Sequence, residues 1–328
     1  MTREQVNQEE EGNNVIYSSC PSDFGGRKKA VLIGINYIGD KVELRGCIND
    51  VHNIREFITR KYGFPPSNML ILTDDQEDPQ YHPTCMNILR ACKWLVHGAQ
   101  PGDSLFFHYS GHGGLTKNLD NTEVSGFDTT IYPLDFRTKG QIRDNTLHQA
   151  LVKPLPKGAR LTAVFDSCHS GTMLDLPFLY KCDGSLEVFT DHRHRKAALA
   201  IIQAGISLVS EENKRGLFRT IKENVEILFS SRDPREDIQE QFEEDNTSVA
   251  DVYQFAGCRD DQTSADANID NAATGAMSHA LVACLEDNAE PTYAELLQSL
   301  RDYLKGNYTQ IPQLSTGHPV DINRSFKM

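Results

Sequence analysis

Two short stretches carry side chains able to make and break covalent bonds. Arg160 to Gly171, RLTAVFDSCHSG, reads as an apolar strand, Leu161 to Phe165, that runs into a small polar turn carrying Cys168. Ser104 to Gly114, SLFFHYSGHGG, has the same form: a strand, Leu105 to Tyr109, leads into the glycine-flanked His112. In an open α/β sheet, ligands and chemistry collect just beyond the carboxyl ends of the strands. A cysteine and a histidine delivered there suit nucleophilic catalysis, because the thiolate is a strong nucleophile and a nearby imidazole raises its fraction. Cys168 is then the expected nucleophile toward a peptide carbonyl and His112 its base. The backbone N–H groups of Gly113 and Cys168 are the expected oxyanion donors. Small neighbours on both turns let a peptide backbone come close. His169 adjoins Cys168 in sequence and reads instead as a hydrogen-bonded turn residue.

These stretches need a scaffold, and the pattern supplies one. Ala30 to Ile35 (AVLIGI) is an unbroken apolar run, as expected of a strand covered on both faces. From Cys47 to Tyr62, apolar residues recur at helical spacing, and Gly63 with Pro65-Pro66 ends the run. Met69 to Leu72 reads as a strand, Thr84 to Ala99 as a helix, Thr130 to Tyr132 as a brief extended piece and Asp144 to Val152 as a helix. Strands alternating with helices predict βαβ units and a largely parallel sheet. Beyond Tyr180 the pattern weakens, with Ala197 to Val209 the one helical candidate before Val249 to Ala256 resumes as a strand. Helices are expected over Ala276 to Glu286 and Tyr293 to Lys305, the latter closed by Gly306, and Gln313 to Ser315 as a final edge strand. The chain thus divides into a polar leader (1–26), a region bearing both motifs (27–180), a linker (181–247) and a C-terminal region completing the same domain (248–328).

Composition narrows the function classes. The 328 residues are 39% hydrophobic and 24% charged, with a formal net charge of −13. That suits a soluble globular protein and argues against non-specific nucleic-acid binding. No window approaches the roughly 18 apolar residues of a membrane span. Eight cysteines without a C-x-x-C pair disfavour a thiolate zinc site. In the absence of a secretory signal they are expected reduced, in the cytoplasm or also the nucleus. Cys92 and Cys284 lie on apolar helix faces and read as core residues.

The motifs together resemble a known family. His112 precedes Cys168 at roughly the separation found in caspases, while the cysteine lacks the local signature of papain-like enzymes. YSGHGG and DSCHSG, with LRGCINDV at 44–51 and DDQTSADA at 260–267, resemble a type I metacaspase of the fungal kind. The resemblance implies a caspase-like three-layer α/β/α sandwich around a central mixed, mostly parallel sheet. It implies a cysteine endopeptidase with a His112/Cys168 dyad, acting as a monomer on protein or peptide substrates with Arg or Lys before the cleaved bond. Its specificity pocket falls on Cys47, Asp50, Ser110 and Asp166, and fixed carboxylates are what a cationic side chain needs. As ordinary structural residues, Asp50 would be a helix-surface or capping acid and Asp166 an acceptor in its turn.

Similar proteins are activated by calcium held on scattered carboxylates. The corresponding positions are Asp128, Asp144, Asn145 and Asp175, where Asn145 stands in place of the family's usual Asp. An amide oxygen can bind calcium but brings no charge, so weaker binding is expected. The basic residues of the linker, Lys214, Arg215, Arg219 and Lys222, are candidate self-cleavage sites or simply a solvated surface run. The resemblance also suggests a leader lying across the site, with Tyr17 and Cys20 as its only anchoring features, and roles in regulated cell death or protein quality control. Two competing readings are a caspase-fold interaction factor with little peptidase activity, and a gingipain-like or separase-like relative.

Overall fold

The computed structural model describes residues 25–118, 127–167, 173–180, 186–188, 246–257, 266–269, 272–305 and 311–328. Its centre is an eight-stranded sheet, set by the apolar runs of the sequence. In chain order the strands are β1 (Lys28–Gly34), β2 (Met69–Thr73), β3 (Ser104–Ser110), β7 (Arg160–Asp166), β8 (Phe178–Tyr180), β9 (Leu186–Val188), β10 (Asp251–Ala256) and β13 (Gln313–Thr316). Across the sheet they run β2-β1-β3-β7-β10-β13-β8-β9. The first five are mutually parallel. The last three are added antiparallel. A parallel sheet must be covered on both faces, and every residue of β3, β7 and β10 is buried.

The covering layers follow from side-chain alternation. Phe106 of β3 faces one core with Leu32, Val164 and Phe255, against α1 (Cys47–Tyr62), α5 (Ala276–Asp287) and α6 (Tyr293–Lys305). Leu105 and Phe107 face the other, against α2 (Cys85–Val96) and α4 (Asp144–Leu151). The result is a three-layer α/β/α sandwich around a mixed, mostly parallel sheet, as expected. No described helix is long and apolar enough to cross a membrane.

Local signals set the helix ends. Gly63, at φ 68°, closes α1 with its N–H on Ile58 O and Thr59 O. Thr84 Oγ1 caps α2 by accepting from Asn87 N at 3.3 Å. That helix stops at Val96 rather than Ala99, because Gly98 turns the chain at φ 65°. Thr292 and Glu295 form a reciprocal capping box before α6, at 2.8 and 3.1 Å. Gly306 lies outside the described residues.

Two expectations need correction. Gln313 to Ser315 is not an edge strand: β13 lies between β10 and β8, and Tyr180 Oη fastens that side by bonding both N–H and C=O of Val320. Leu186–Val188, inside the stretch read as linker, is the outer strand instead. The extended piece at Thr130 belongs to a separate small sheet of β4 (Gly113–Lys117), β5 (Phe127–Ile131) and β6 (Ile142–Arg143). A short helix, α3 (Phe136–Lys139), precedes β6, and a hairpin, β11 (Asp266–Ile269) with β12 (Ala272–Gly275), precedes α5.

Candidate active site

The two chemistry-bearing stretches leave the sheet side by side. β3 and β7 are parallel neighbours, and their register pairs Ser110 with Asp166. Just beyond, Gly111 N donates to Asp166 O at 3.4 Å, so the two strand exits stay joined. His112 follows Ser110 by two residues, and Cys168 follows Asp166 by two. Cys168 itself lies outside the described residues, whose last member on this strand is the buried Ser167. The register therefore brings the start of both turns to one edge of the sheet.

The His112 ring is held by a loop that follows β1. Its Nε2 lies 2.8 Å from Val42 O. A carbonyl only accepts, so Nε2 carries the proton and, in the neutral ring, Nδ1 keeps the lone pair. The Tyr37 ring packs against the imidazole at 4.8 Å between centroids. Gly113 opens β4 directly after His112, opposite Ile131 of β5.

The expected pocket residues converge on the same edge. Asp50, on the first turn of α1, is fully buried and its Oδ2 accepts from Ser110 Oγ at 2.6 Å. Its carboxylate also accepts the Gly275 N–H at 2.8 and 3.0 Å. Asp166 is 4% exposed and accepts the Ser278 N–H at 2.7 Å. The two acids are neighbours: a Cβ on Gly275 would fall 2.3 Å from Asp166 Oδ2 and 2.6 Å from Asp50 Oδ2. Gly275 precedes α5 and Ser278 lies in its first turn, so both carboxylates sit at a helix N-terminus, where unpaired N–H groups favour negative charge. Cys47 is buried one turn before Asp50, with its N–H on Asn36 Oδ1 at 3.0 Å. The capping alternative considered for Asp50 is thus realised, but on α5 rather than on its own helix.

The expected calcium ligands occupy a second place, around β5 and α4. Asp128, Asp144 and Asp175 are each buried. Asp144 accepts from Thr129 Oγ1 at 2.9 Å and from Asn145 N at 2.8 Å. Burial, together with the neighbouring Asp128 charge, pushes the Asp144 carboxyl up to about 7. Among the described residues Asp128 Oδ2 has no hydrogen-bond donor, and it faces Arg143 Nη1 at 3.3 Å. Asp175 holds its backbone at φ 47°. Among the described residues no three His, Cys, Asp or Glu side chains gather as an ion-holding group. The donor chemistry nevertheless fits a hard cation, since such an ion takes carboxylate and amide oxygens and the three Asp side chains are buried.

Some expectations fall on other ground. Tyr17, Cys20, Lys214, Arg215, Arg219, Lys222 and the helix expected over Ala197 to Val209 lie outside the described residues, as does most of DDQTSADA. Cys92 and Cys284 are core thiols, which burial pushes up to about 12 and about 11. Sequence reasoning missed Tyr37, Val42, Gly275 and Ser278. Tyr37 could have been found, because it lies just past the carboxyl end of β1, the location that singled out His112. Val42 acts through a carbonyl and Gly275 and Ser278 through N–H groups, which no side-chain signature reveals.

Residues 28–177 match the family described as "Metacaspase, peptidase C14 domain". The chain is 48% identical to Metacaspase-1B of Neurospora crassa over 312 residues, 95% of this chain and 71% of that one. It is 46% identical to Metacaspase-1 of Pyricularia oryzae over 325 residues, 97% of this chain and 80% of that one. Among solved structures, a protein from Geobacter sulfurreducens shares the fold with a TM-score of 0.55 at 18% identity, covering 92% of this chain and 98% of its own.

Proposed function

Because this chain belongs to the metacaspases, cysteine-type endopeptidases of the fungal type I kind, we propose that it cleaves after Arg or Lys through Cys168 and His112 and is activated by calcium. The observation that carries the dyad is the Ser110–Asp166 register, which aligns the exits leading to both residues. His112 Nδ1 takes the thiol proton, and the thiolate adds to the substrate carbonyl carbon. The N–H groups of Gly113 and Cys168 receive the oxyanion. As the tetrahedral adduct collapses, the C–N bond breaks and the proton passes from His112 to the leaving amine. Water then adds to the thioester with His112 again as base, releasing the acid and the free thiol.

The preference for a cation is supported by Asp50 and Asp166 meeting beside the same strand ends. Asp128, Asp144, Asn145 and Asp175 would hold calcium, which when bound neutralises their buried charge. Self-cleavage at Lys214, Arg215, Arg219 or Lys222, a monomeric state, a cytoplasmic or nuclear location and a role in cell death or protein quality control rest on the resemblance alone. The test uses fluorogenic peptides with Arg, Lys, Asp or norleucine before the cleaved bond, with and without calcium. Wild type should cut the Arg and Lys peptides only with calcium, and Cys168→Ala should cut none. Calcium-independent rates, or equal rates on the Asp peptide, would overturn the respective parts.

A further inference from the structure

His112 lies past the end of β3, yet both of its backbone polar groups are gripped by phenols. Its N–H donates to Tyr37 Oη at 3.0 Å, and its C=O accepts from Tyr109 Oη at 2.7 Å. Tyr37 Oη has one proton, which it donates to Tyr132 O at 2.7 Å, so it presents a lone pair to His112. The Tyr132 N–H in turn donates to His112 O at 3.1 Å. Both phenols are buried, Tyr37 to 1% exposure and Tyr109 to 0%.

Two features of the backbone are arranged around this clamp. Tyr37 sits at φ 53°, a backbone conformation that residues other than glycine rarely adopt. The Asp74 carboxylate holds it there by accepting the N–H groups on either side, from Asn36 at 2.8 Å and Ile38 at 3.0 Å. At Gly111 a Cβ would lie 2.7 Å from Tyr109 Oη and 3.2 Å from Tyr37 Oη, so the turn before His112 leaves room for the hydroxyls and nothing larger.

We propose that Tyr37 and Tyr109 are positioning residues for His112: their hydroxyls fix its backbone, and the Tyr37 ring fixes the face of its imidazole. The inference rests on His112 being the catalytic base. A ring held by one backbone-carbonyl bond can swing about its own Cα, and a displacement of about 1 Å can cost about a hundredfold in rate.

The test compares wild type, Tyr37→Phe, Tyr109→Phe and the double variant on an Arg peptide with calcium. Tyr62→Phe is the control, since its buried hydroxyl has no hydrogen-bond partner among the described residues. Each single variant should lower kcat by about ten- to a hundredfold with KM little changed. The double should lose little more than the worse single, because both hydroxyls hold one residue. The pH profile of Cys168 alkylation by iodoacetamide should move toward that of a free thiol, near about 8.5, while Tyr62→Phe matches wild type. Wild-type kcat in both single variants would overturn the proposal. So would a loss of kcat that tracks a fall in melting midpoint and leaves the alkylation profile unmoved. If Tyr37→Phe does not fold, Tyr109→Phe decides alone. His112→Ala is run in parallel: activity surviving there sinks the dyad itself, whereas its inactivity beside wild-type tyrosine variants sinks only the clamp.

Discussion

Asp50→Asn separates two roles that one carboxylate holds in this structure. Asp50 accepts Ser110 Oγ at 2.6 Å and the Gly275 N–H at 2.8 and 3.0 Å. Asparagine is close in shape and can keep both partners, its oxygen on Gly275 N and its amide facing Ser110 Oγ, which rotates to accept. What is lost is charge. Hydrogen bonds to charged groups contribute about 1.5–3 kcal/mol against about 0.5–1.5 for neutral ones, so two donors imply a loss of about 2 kcal/mol in stability. A cationic substrate side chain loses more, because removing one member of a desolvated charge pair costs about 2–5 kcal/mol. At about 1.4 kcal/mol per factor of ten, kcat/KM on an Arg peptide should fall by about 30-fold or more. A norleucine peptide, lacking the charge, should change far less. The assay is therefore the Arg-to-norleucine ratio of kcat/KM, measured beside urea unfolding. A ratio equal to that of wild type, together with the expected stability loss, would show that Asp50 serves the start of α5 and not specificity.

Gly275→Ala should act on both acids at once. The added methyl falls on Asp166 Oδ2 and Asp50 Oδ2, both hydrogen-bonded oxygens of buried residues. Overpacking of this kind costs about 1–3 kcal/mol, and the Arg preference should weaken; a melting midpoint and Arg preference equal to wild type would refute the contact. Asp144→Asn tests the second acidic site through pH. Its folded carboxyl titrates near 7 against an ordinary value of 3.8, with burial the main cause. The folded state thus binds the extra proton between those values, and this group's contribution to stability falls as pH rises through that window. Without calcium, wild type should lose melting midpoint from pH 5 to pH 8 more steeply than the variant, and calcium should restore it at pH 8 in wild type only. Parallel pH profiles for the two would refute the assignment.

What the sequence disclosed and what it concealed divide on physical lines. α1 was legible to the residue because apolar positions recur at helical spacing and Gly63 ends them. β1, β3 and β7 were legible because strands buried on both faces read as unbroken apolar runs. β8 and β9, of three residues each, hold too few alternations to announce themselves, so β13 seemed to lie at the edge. β4 begins at Gly113-Gly114, a pair that reads as a turn. Within the site, His112 stood out by its side chain. Its partner Val42 contributes only a carbonyl, and any residue type could have supplied it.

The acids explain why so distant a segment as α5 takes part in the site. Two buried carboxylates side beside side would repel and resist ionisation unless donors or cations face them. In this fold the donors include Ser110 Oγ and the N–H groups of Gly275 and Ser278, and the helix leaves the latter two unpaired in any case. The same groups that stabilise the start of α5 therefore donate to the two carboxylates beside the strand exits. On the proposed preference for a cation, specificity and attachment of the C-terminal region are one electrostatic arrangement. Neutralising Asp50 or Asp166 should weaken both together, whereas a change at His112 should touch neither.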